Sequence, residues 1–414
     1  MFSSLERMIA FRYLRSRRSE GFISVIAGFS FVGIALGVAT LIVVMSVMNG
    51  FRTEISNKIL GLNGHVTLSS YERNLDNFDL LAPKVSGISG VTSVSPVING
   101  QVMATTDYST TGSIVKGIRL ADLMNRSLIA DNIVTGNITD FLGKESVMLG
   151  NQLAMNLGVG VGDQITLISP QGQATAIGTL PRLKSYKIVA TFESGMYEYD
   201  NNAIFMPLRA AQIFFKYPES VSSLEIFTTN PNNSSEIAET INASLQGLYM
   251  VQDWQNLNAG LFSALKVERT VMFLILTLIV FIAAFNIISS LIMLVSDKGK
   301  DIAILRTMGA TRGMIMRIFF LCGSTIGVVG TFIGFILGVS FALNIETIRS
   351  WLESIIGTKL FDPVIYFLSE LPSEVKSTDV LWSVAMGVVF SFLATLYPAY
   401  KAARQDPAEA LRYE

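Results

Sequence analysis

The sequence predicts a membrane protein with four transmembrane helices and a large extracytoplasmic α+β domain between the first and the second. Three observations lead there. Half of the 414 residues are hydrophobic, only 15% are charged and the mean hydropathy is +0.48, which is too apolar for an ordinary soluble chain. Four long runs contain no charged residue, and between the first two lies a polar stretch of more than half the chain.

Residues 1–20 mix Leu5, Met8, Ile9 and Phe11 with Arg7, Arg12, Arg15, Arg17 and Arg18. They read either as a basic amphipathic segment on the cytoplasmic membrane face or as a charge cluster that orients the chain. Residues 21–51 are uncharged and long enough to cross about 30 Å of hydrocarbon. A cleaved signal would have an apolar core about half as long and a small-residue cleavage site; this run ends in VMSVMNGF and is read as the first span. Gly33 and Gly37 form a small-xxx-small pair suited to helix packing.

Residues 52–269 are polar and long enough to fold with their own core. Strand-like patterns at 91–98, 113–118, 164–168 and 186–192, with helical patterns at 208–215 and 234–245, predict an α+β domain in two lobes. Asn125, Asn137, Asn233 and Asn242 open glycosylation sequons, which matter only in a eukaryotic secretory source.

The second span is placed at 270–296, where Asn286, Ser289 and Ser290 need partners across a helix interface. A charged loop follows at 297–317, then the third span at 318–345, an outer loop at 346–379, the fourth span at 380–400 and a tail at 401–414. In the third span Gly330, Gly334 and Gly338 recur every four residues and share one face, on which a neighbouring helix can lie close. Lys298, Lys300, Arg306, Arg312 and Arg317 in the middle loop, Lys401, Arg404 and Arg412 in the tail and the N-terminal arginines put both termini and the middle loop in the cytoplasm.

Several functions are disfavoured by what is missing. A net charge of −1 argues against nucleic-acid binding. Cys322 is alone in an apolar run and His65 is the only imidazole, so no disulfide, catalytic triad or metal set is expected. There is no G-x-x-x-x-G-K-[ST], so no P-loop of its own. The chain is read as a non-enzyme that holds no cofactor.

Two stretches invite a partner. SPQGQATAIGTLPRLKS, residues 169–185, exceeds the two to five residues or so of an ordinary hairpin connection. Pro170 and Pro181 stiffen it, while Ile177, Leu180 and Leu183 are apolar; it is read as a partner-docking loop or, alternatively, a loose insertion. In the middle loop DIAILRTM predicts a short helix that starts at Asp301 and stops at Gly309, carrying Arg306 and an apolar side of Ile304, Leu305 and Met308. Such a helix fits a cleft on a cytosolic partner, or else lies on lipid.

DKGKDIAILRTMGATRGMI closely resembles the cytoplasmic coupling segment of FtsX/MacB-type ABC transporter permeases. With IAFRYLRSRR, GFISVIAGFSFVGIALGVATLIVVMSVMNGFRTEI, LFSALKVERTVMFLILTLIVFIAAFNIISSL and TLYPAYKAARQDPAEALRYE, the resemblance covers nearly the whole chain and is to the lipoprotein-releasing LolC/LolE permeases. It implies a Gram-negative inner-membrane subunit that extracts triacylated lipoproteins, paired with a second permease and driven by a LolD-like cytosolic ATPase that binds ATP and Mg. A LolA-like periplasmic chaperone receives the product.

The resemblance also assigns residues. Asp301, Ile304, Leu305, Arg306, Met308 and Gly309 would couple to the ATPase. A LolC-like hook of Ile177, Leu180, Pro181, Arg182 and Leu183 would bind the chaperone. Val44, Val47, Met48, Phe262, Leu265 and Val271 would line the acyl-chain cavity. Each buried CH₂ is worth about 0.8 kcal/mol, so three chains resist extraction by tens of kcal/mol and a borrowed motor is needed. An FtsX-like signalling subunit and a MacB-like exporter permease are the competing readings.

Overall fold

The computed structural model describes residues 3–14, 21–72, 74–175, 178–358 and 371–405. Along the chain come α1 (Ser4–Leu14), α2 (Gly21–Leu62), β1 (Val66–Ser69), α3 (Phe78–Ser86), β2 (Val91–Thr105), β3 (Thr110–Ile118), α4 (Leu120–Met124) and α5 (Ser127–Ala130). Then follow β4 (Ile133–Gly136), β5 (Ser146–Gly150), α6 (Asn151–Leu157), β6 (Gln164–Thr175), β7 (Gly178–Phe192), α7 (Tyr197–Asn202), β8 (Ala203–Pro207), α8 (Leu208–Phe215) and β9 (Ser223–Thr228). The rest is α9 (Ser234–Ser244), β10 (Met250–Asp253), α10 (Trp254–Leu257), α11 (Ala259–Asp297), α12 (Gly299–Thr307), α13 (Arg312–Leu343), α14 (Ile345–Ile356) and α15 (Ser377–Arg404). The contacts divide the chain into two units, one of Met1–Thr53, Ala264–Thr358 and Leu371–Glu414, the other of Glu54–Ser263 and Lys359–Glu370.

In the first unit α2, α11, α13 and α15 are long and apolar enough to cross a membrane. A helix satisfies its own backbone groups, which hydrocarbon cannot do. Two of them outrun their uncharged stretches: α2 continues from Phe51 to Leu62, and α11 begins at Ala259 rather than at 270. Loss of apolar character does not end a helix when good helix formers follow, and Glu54 and Lys58 pair one turn apart at 3.7 Å.

Small residues set the packing of this unit. A Cβ on Gly334 would come within 2.5 Å of the Ala35 carbonyl oxygen on α2, and one on Gly327 within 2.3 Å of Ser391 Cβ on α15. Gly330 and Gly338 meet α2 as well, so the four-residue repeat of the third span is an α2-facing stripe. Ser30 Oγ on α2 donates to the Asn286 carbonyl on α11 at 2.9 Å. That bond uses the Asn286 main chain and is not a partner for the side chains of Asn286, Ser289 or Ser290.

The first helix is anchored rather than merely charged. Ser3 N donates to Glu6 Oε2 at 2.8 Å and Glu6 N to Ser3 Oγ at 3.2 Å, a capping box that starts α1. Arg317 Nε on α13 donates to Glu6 Oε1 at 2.8 Å, Ala10 is buried and Tyr13 packs on Phe319. Leu5, Met8 and Phe11 point outward. Arg15, Arg17 and Arg18 lie outside the described residues.

The second unit is a mixed sheet in the order β10-β1-β9-β2-β3-β8-β5-β7-β4, with β6 pairing β2 and β7. All the strands and helices expected from the sequence occur, all four of the strands longer than expected. The expected division into two lobes does not hold. β2 pairs with β9 along its first half and with β3 along its second, so one strand threads both halves into one unit. A large core centred on Leu68, Ile98, Tyr186 and Phe214 fills one part, and Leu62, Ile118, Phe141, Phe192 and Phe205 fill another.

His65 is structural, as its isolation suggests. It is buried, its Nδ1 accepts the Thr228 N–H at 3.0 Å, and its ring meets Phe227 edge-on. Burial lowers its pKa.

Replacing Gly334 with Val forces α2 and α13 apart and is expected to cost about 1–3 kcal/mol. A thermal melt of the detergent-purified chain measures this; an unchanged melting temperature would show that the close approach is not needed.

Candidate functional site

The coupling segment is a capped helix. After Lys298, α12 runs to Thr307 and is stopped by a reciprocal pair of bonds: Ala310 N donates to the Leu305 carbonyl at 3.0 Å and Gly309 N to the Arg306 carbonyl at 3.1 Å. This Schellman stop needs a residue of positive φ, and Gly309 has φ of 101°. Thr311 then caps α13 by accepting the Met314 N–H. The two caps separate α12 from α13 over Met308 to Thr311.

Burial sorts the predicted coupling residues. Ile302 and Ala303 are buried against the helix bundle, and Leu305 packs partly against the same core. Asp301, Ile304 and Met308, at i, i+3 and i+7, are exposed, Met308 by 79%. Leu305 is half-buried and only partly shares the outward apolar side assigned to it, because it follows Ile304 by one residue, about 100° around the helix axis. Arg306 also turns inward: its NH1 donates to the Gln405 carbonyl at the C-terminal end of α15, at 2.6 Å. A guanidinium there satisfies an orphan carbonyl and the negative end of the helix dipole.

The stretch 169–185 is not a loop. β6 and β7 run on through it as a hairpin, with Gln164 opposite Lys187 and Thr175 opposite Gly178. Beyond Ile168, β6 pairs with β7 and no longer with β2. The register shifts between Ser169–Arg182 and Gln173–Leu180, so Pro170, Gln171 and Gly172 stand opposite Pro181 alone. A proline cannot donate to a ladder, and a bulge is where a strand tolerates one.

Within the proposed hook Pro181 and Leu183 are exposed. Arg182 donates from NH1 to the Phe214 carbonyl in the last turn of α8, which ties the hairpin to that helix. Leu180 lies in β7 opposite Gln173. Ile177 lies outside the described residues.

The six predicted cavity residues are divided between the two units, Phe262 in the second and the others in the first. Val44 packs beside Leu41, Leu276 and Val280, whereas Phe262 stacks edge-on against Trp254 in the other unit. Leu265 is buried, Val271 is 46% exposed, and Val47 and Met48 are half-buried. A narrow crevice does exist between α2, α11 and α15, lined by Ile34, Gly37, Ala283, Gly387 and Ser391 among others. None of the six lines it. Residue type along one uncharged run cannot say which face of a helix meets which neighbour.

One cluster had no signal in the sequence. Glu225 on β9 is buried, and it accepts from Lys116 Nζ on β3 at 2.9 Å and from Arg126 beside α5. The same Arg126 donates from NH1 to the Leu62 carbonyl at the end of α2, at 2.6 Å, and Lys116 donates to Asn63 Oδ1 at 2.8 Å. Tyr199 donates to that same Asn63 oxygen at 2.7 Å. Burial by itself would raise the Glu225 pKa, but the charges of Arg126 and Lys116 and their hydrogen bonds outweigh it and hold the carboxyl at about 2. Three residues this far apart in the chain form no motif.

A mixed-sheet domain set between the first and second of four apolar helices, with a capped helix between the second and third, matches known families along most of its length. Residues 27–244 match the MacB-like periplasmic core domain and residues 273–407 the FtsX-like permease C-terminal region. The fold and these matches define an FtsX-like permease, a membrane subunit of a transporter. The lipoprotein-releasing system transmembrane protein LolC of Xylella fastidiosa is 36% identical over 415 residues, covering 100% of both chains. LolC of Neisseria meningitidis serogroup B is 35% identical over 99% of this chain and 100% of its own, and LolE of Haemophilus influenzae 33% identical over 97% and 98%. The chain belongs to the LolC/LolE family of lipoprotein-releasing system transmembrane proteins.

Glu225→Gln leaves two buried cations without their counter-charge and is expected to destabilise the outer domain by about 3–5 kcal/mol. Urea unfolding of the purified chain, followed by tyrosine and tryptophan fluorescence, reports the loss. The pH dependence has a definite sign, because the folded carboxyl is depressed from its ordinary 4.5 to about 2. Its contribution is complete above the ordinary value and is lost as pH falls through about 2. The variant should therefore lack this acid-dependent component.

Proposed function

We propose that the chain is the permease subunit of an ABC transporter that extracts triacylated lipoproteins from the bacterial inner membrane and hands them to a periplasmic chaperone. The observation that carries this reading is the end-to-end identity with LolC, at 36% over both full chains. Both termini and α12 face the cytoplasm, and the domain between α2 and α11 faces the periplasm. ATP and Mg belong to a LolD-like ATPase, not to this chain, and a second permease, identical or divergent, completes the membrane part.

The geometry supports a division of labour along the chain. Asp301, Ile304 and Met308 are the face of α12 offered to the ATPase, while Ile302, Ala303, Leu305 and Arg306 tie that helix to its own bundle. A push on the outer face is thus delivered to packed side chains and to the end of α15, not absorbed by a loose loop. On the β6–β7 hairpin, Pro181 and Leu183 are offered to a LolA-like chaperone, with Arg182 fixing the base.

Ile304→Asp and Met308→Asp are expected to lower the ATPase that copurifies with the permease by on the order of tenfold, as loss of an interface anchor does. Densitometry of the affinity-purified complex measures it. Undiminished ATPase in both variants would rule out this face as the dock. Leu183→Asp should weaken capture of the chaperone in a pulldown by a similar factor, with lipoprotein still bound to the permease. Equal capture would remove the hairpin from chaperone binding.

A further inference from the structure

α14 carries a surface that neither the coupling helix nor the hairpin uses. Its sequence is IETIRSWLESII. At 3.6 residues per turn Glu346, Arg349, Ser350 and Glu353 share one side, and Ile348, Trp351, Leu352 and Ile355 the other. None of its residues is buried. Trp351 and Ile355 are each 62% exposed and Ile356 53%.

The polar side is the one that the chain itself occupies. Arg349 donates to both Glu346 and Glu353, and Glu346 also accepts the Leu371 N–H at 3.3 Å. The hydrogen bond from Arg349 lowers the pKa of Glu346 and keeps it ionised. The helix therefore holds its polar side partly satisfied and turns its apolar side outward, the reverse of a helix on a water-soluble core. It ends cleanly at Gly357, whose φ is 74°.

We propose that α14 lies flat in the lipid–water interface, with Ile348, Trp351, Leu352 and Ile355 sunk among phospholipid acyl chains, on the membrane face opposite α12. Two observations select lipid as the occupant. Exposed apolar side chains run on along the chain from α13, whose Leu337, Phe341 and Leu343 are also exposed and whose end is joined to α14 through Asn344 alone. The face also offers only one hydrogen-bonding group, the Trp351 indole N–H, and Trp is the side chain that favours the membrane interface, with its ring in the apolar layer and its N–H toward water. α12 precedes α13 and α14 follows it, so a spanning α13 puts them on opposite faces. The placement rests on α13 crossing the membrane and is independent of what the transporter carries.

Spin labels on the full chain test this. In a Cys322→Ala background, Ile355→Cys and Ser350→Cys are labelled separately and the chain is reconstituted in nanodiscs of phosphatidylethanolamine and phosphatidylglycerol. Collision with oxygen is compared with collision with a water-soluble nickel chelate. The Ile355 site is expected to favour oxygen and the Ser350 site nickel. Because both sites are on the surface, neither label should disturb folding, and Leu352→Cys provides a second reading of the apolar side. Equal nickel access at the Ile355 and Ser350 sites would overturn the proposal by putting the face in water. Protection of the Ile355 site from both agents, with an immobilised spectrum, would overturn it in favour of a protein partner such as a second copy of the chain.

Discussion

Hydrocarbon offers a peptide group no hydrogen-bond partner, so each crossing segment must satisfy its backbone internally and therefore be helical. It also removes the usual reason for helices to associate, because lipid tails are as apolar as leucine. Association then falls to close backbone approach and a few polar bonds. α13 meets α2 at Gly330, Gly334 and Gly338, and α15 at Gly323 and Gly327, while Ser30 on α2 reaches the Asn286 carbonyl on α11. α12 and α14 sit at the two ends of α13 in the chain, and the outer domain is the insert between α2 and α11. Each functional element is thus continuous with a helix whose placement this packing decides.

Helix ends are the second recurring problem, and three arginines solve it in the same way. Arg126 donates to the Leu62 carbonyl at the end of α2, Arg182 to the Phe214 carbonyl in the last turn of α8, and Arg306 to the Gln405 carbonyl at the end of α15. A last turn leaves carbonyls without intrahelical partners and carries the negative end of the dipole, and a fixed guanidinium fork answers both. Two of these arginines, Arg182 and Arg306, look from the sequence like contacts for another protein. Each donates to a main-chain carbonyl of its own chain, close in sequence to the exposed Leu183, Ile304 and Met308.

Legibility followed the range of the interaction. The four apolar helices, the glycine stripe of α13, the Gly309 stop and the helical and strand-like segments of the outer domain depend on residues within a few positions of one another, and all are visible in the sequence. The length of the β6–β7 hairpin was not, because Pro181 reads as a loop residue until the bulge opposite it is known. The amphipathic spacing of α14 was available in IETIRSWLESII, but it was hidden within a loop bounded by charge. The candidate site was half legible: the helix of the middle loop and its Gly309 stop could be read, but which of its side chains faces out could not.

The amino-acid order by itself determined that this chain crosses a membrane four times by composition, inserts an α+β domain after the first crossing and belongs with the permeases its motifs resemble. These properties are set by local hydropathy, helix periodicity and short capping patterns, each complete within one or two turns of chain. Tertiary structure alone decided that Leu305 packs partly on the bundle, that Arg306 reaches the Gln405 carbonyl, and that Lys116, Arg126 and Glu225 converge on the end of α2. The physical reason is that burial and ion pairing are properties of which elements touch. Contacts between residues about 100 positions apart leave no periodic trace in the sequence for either partner.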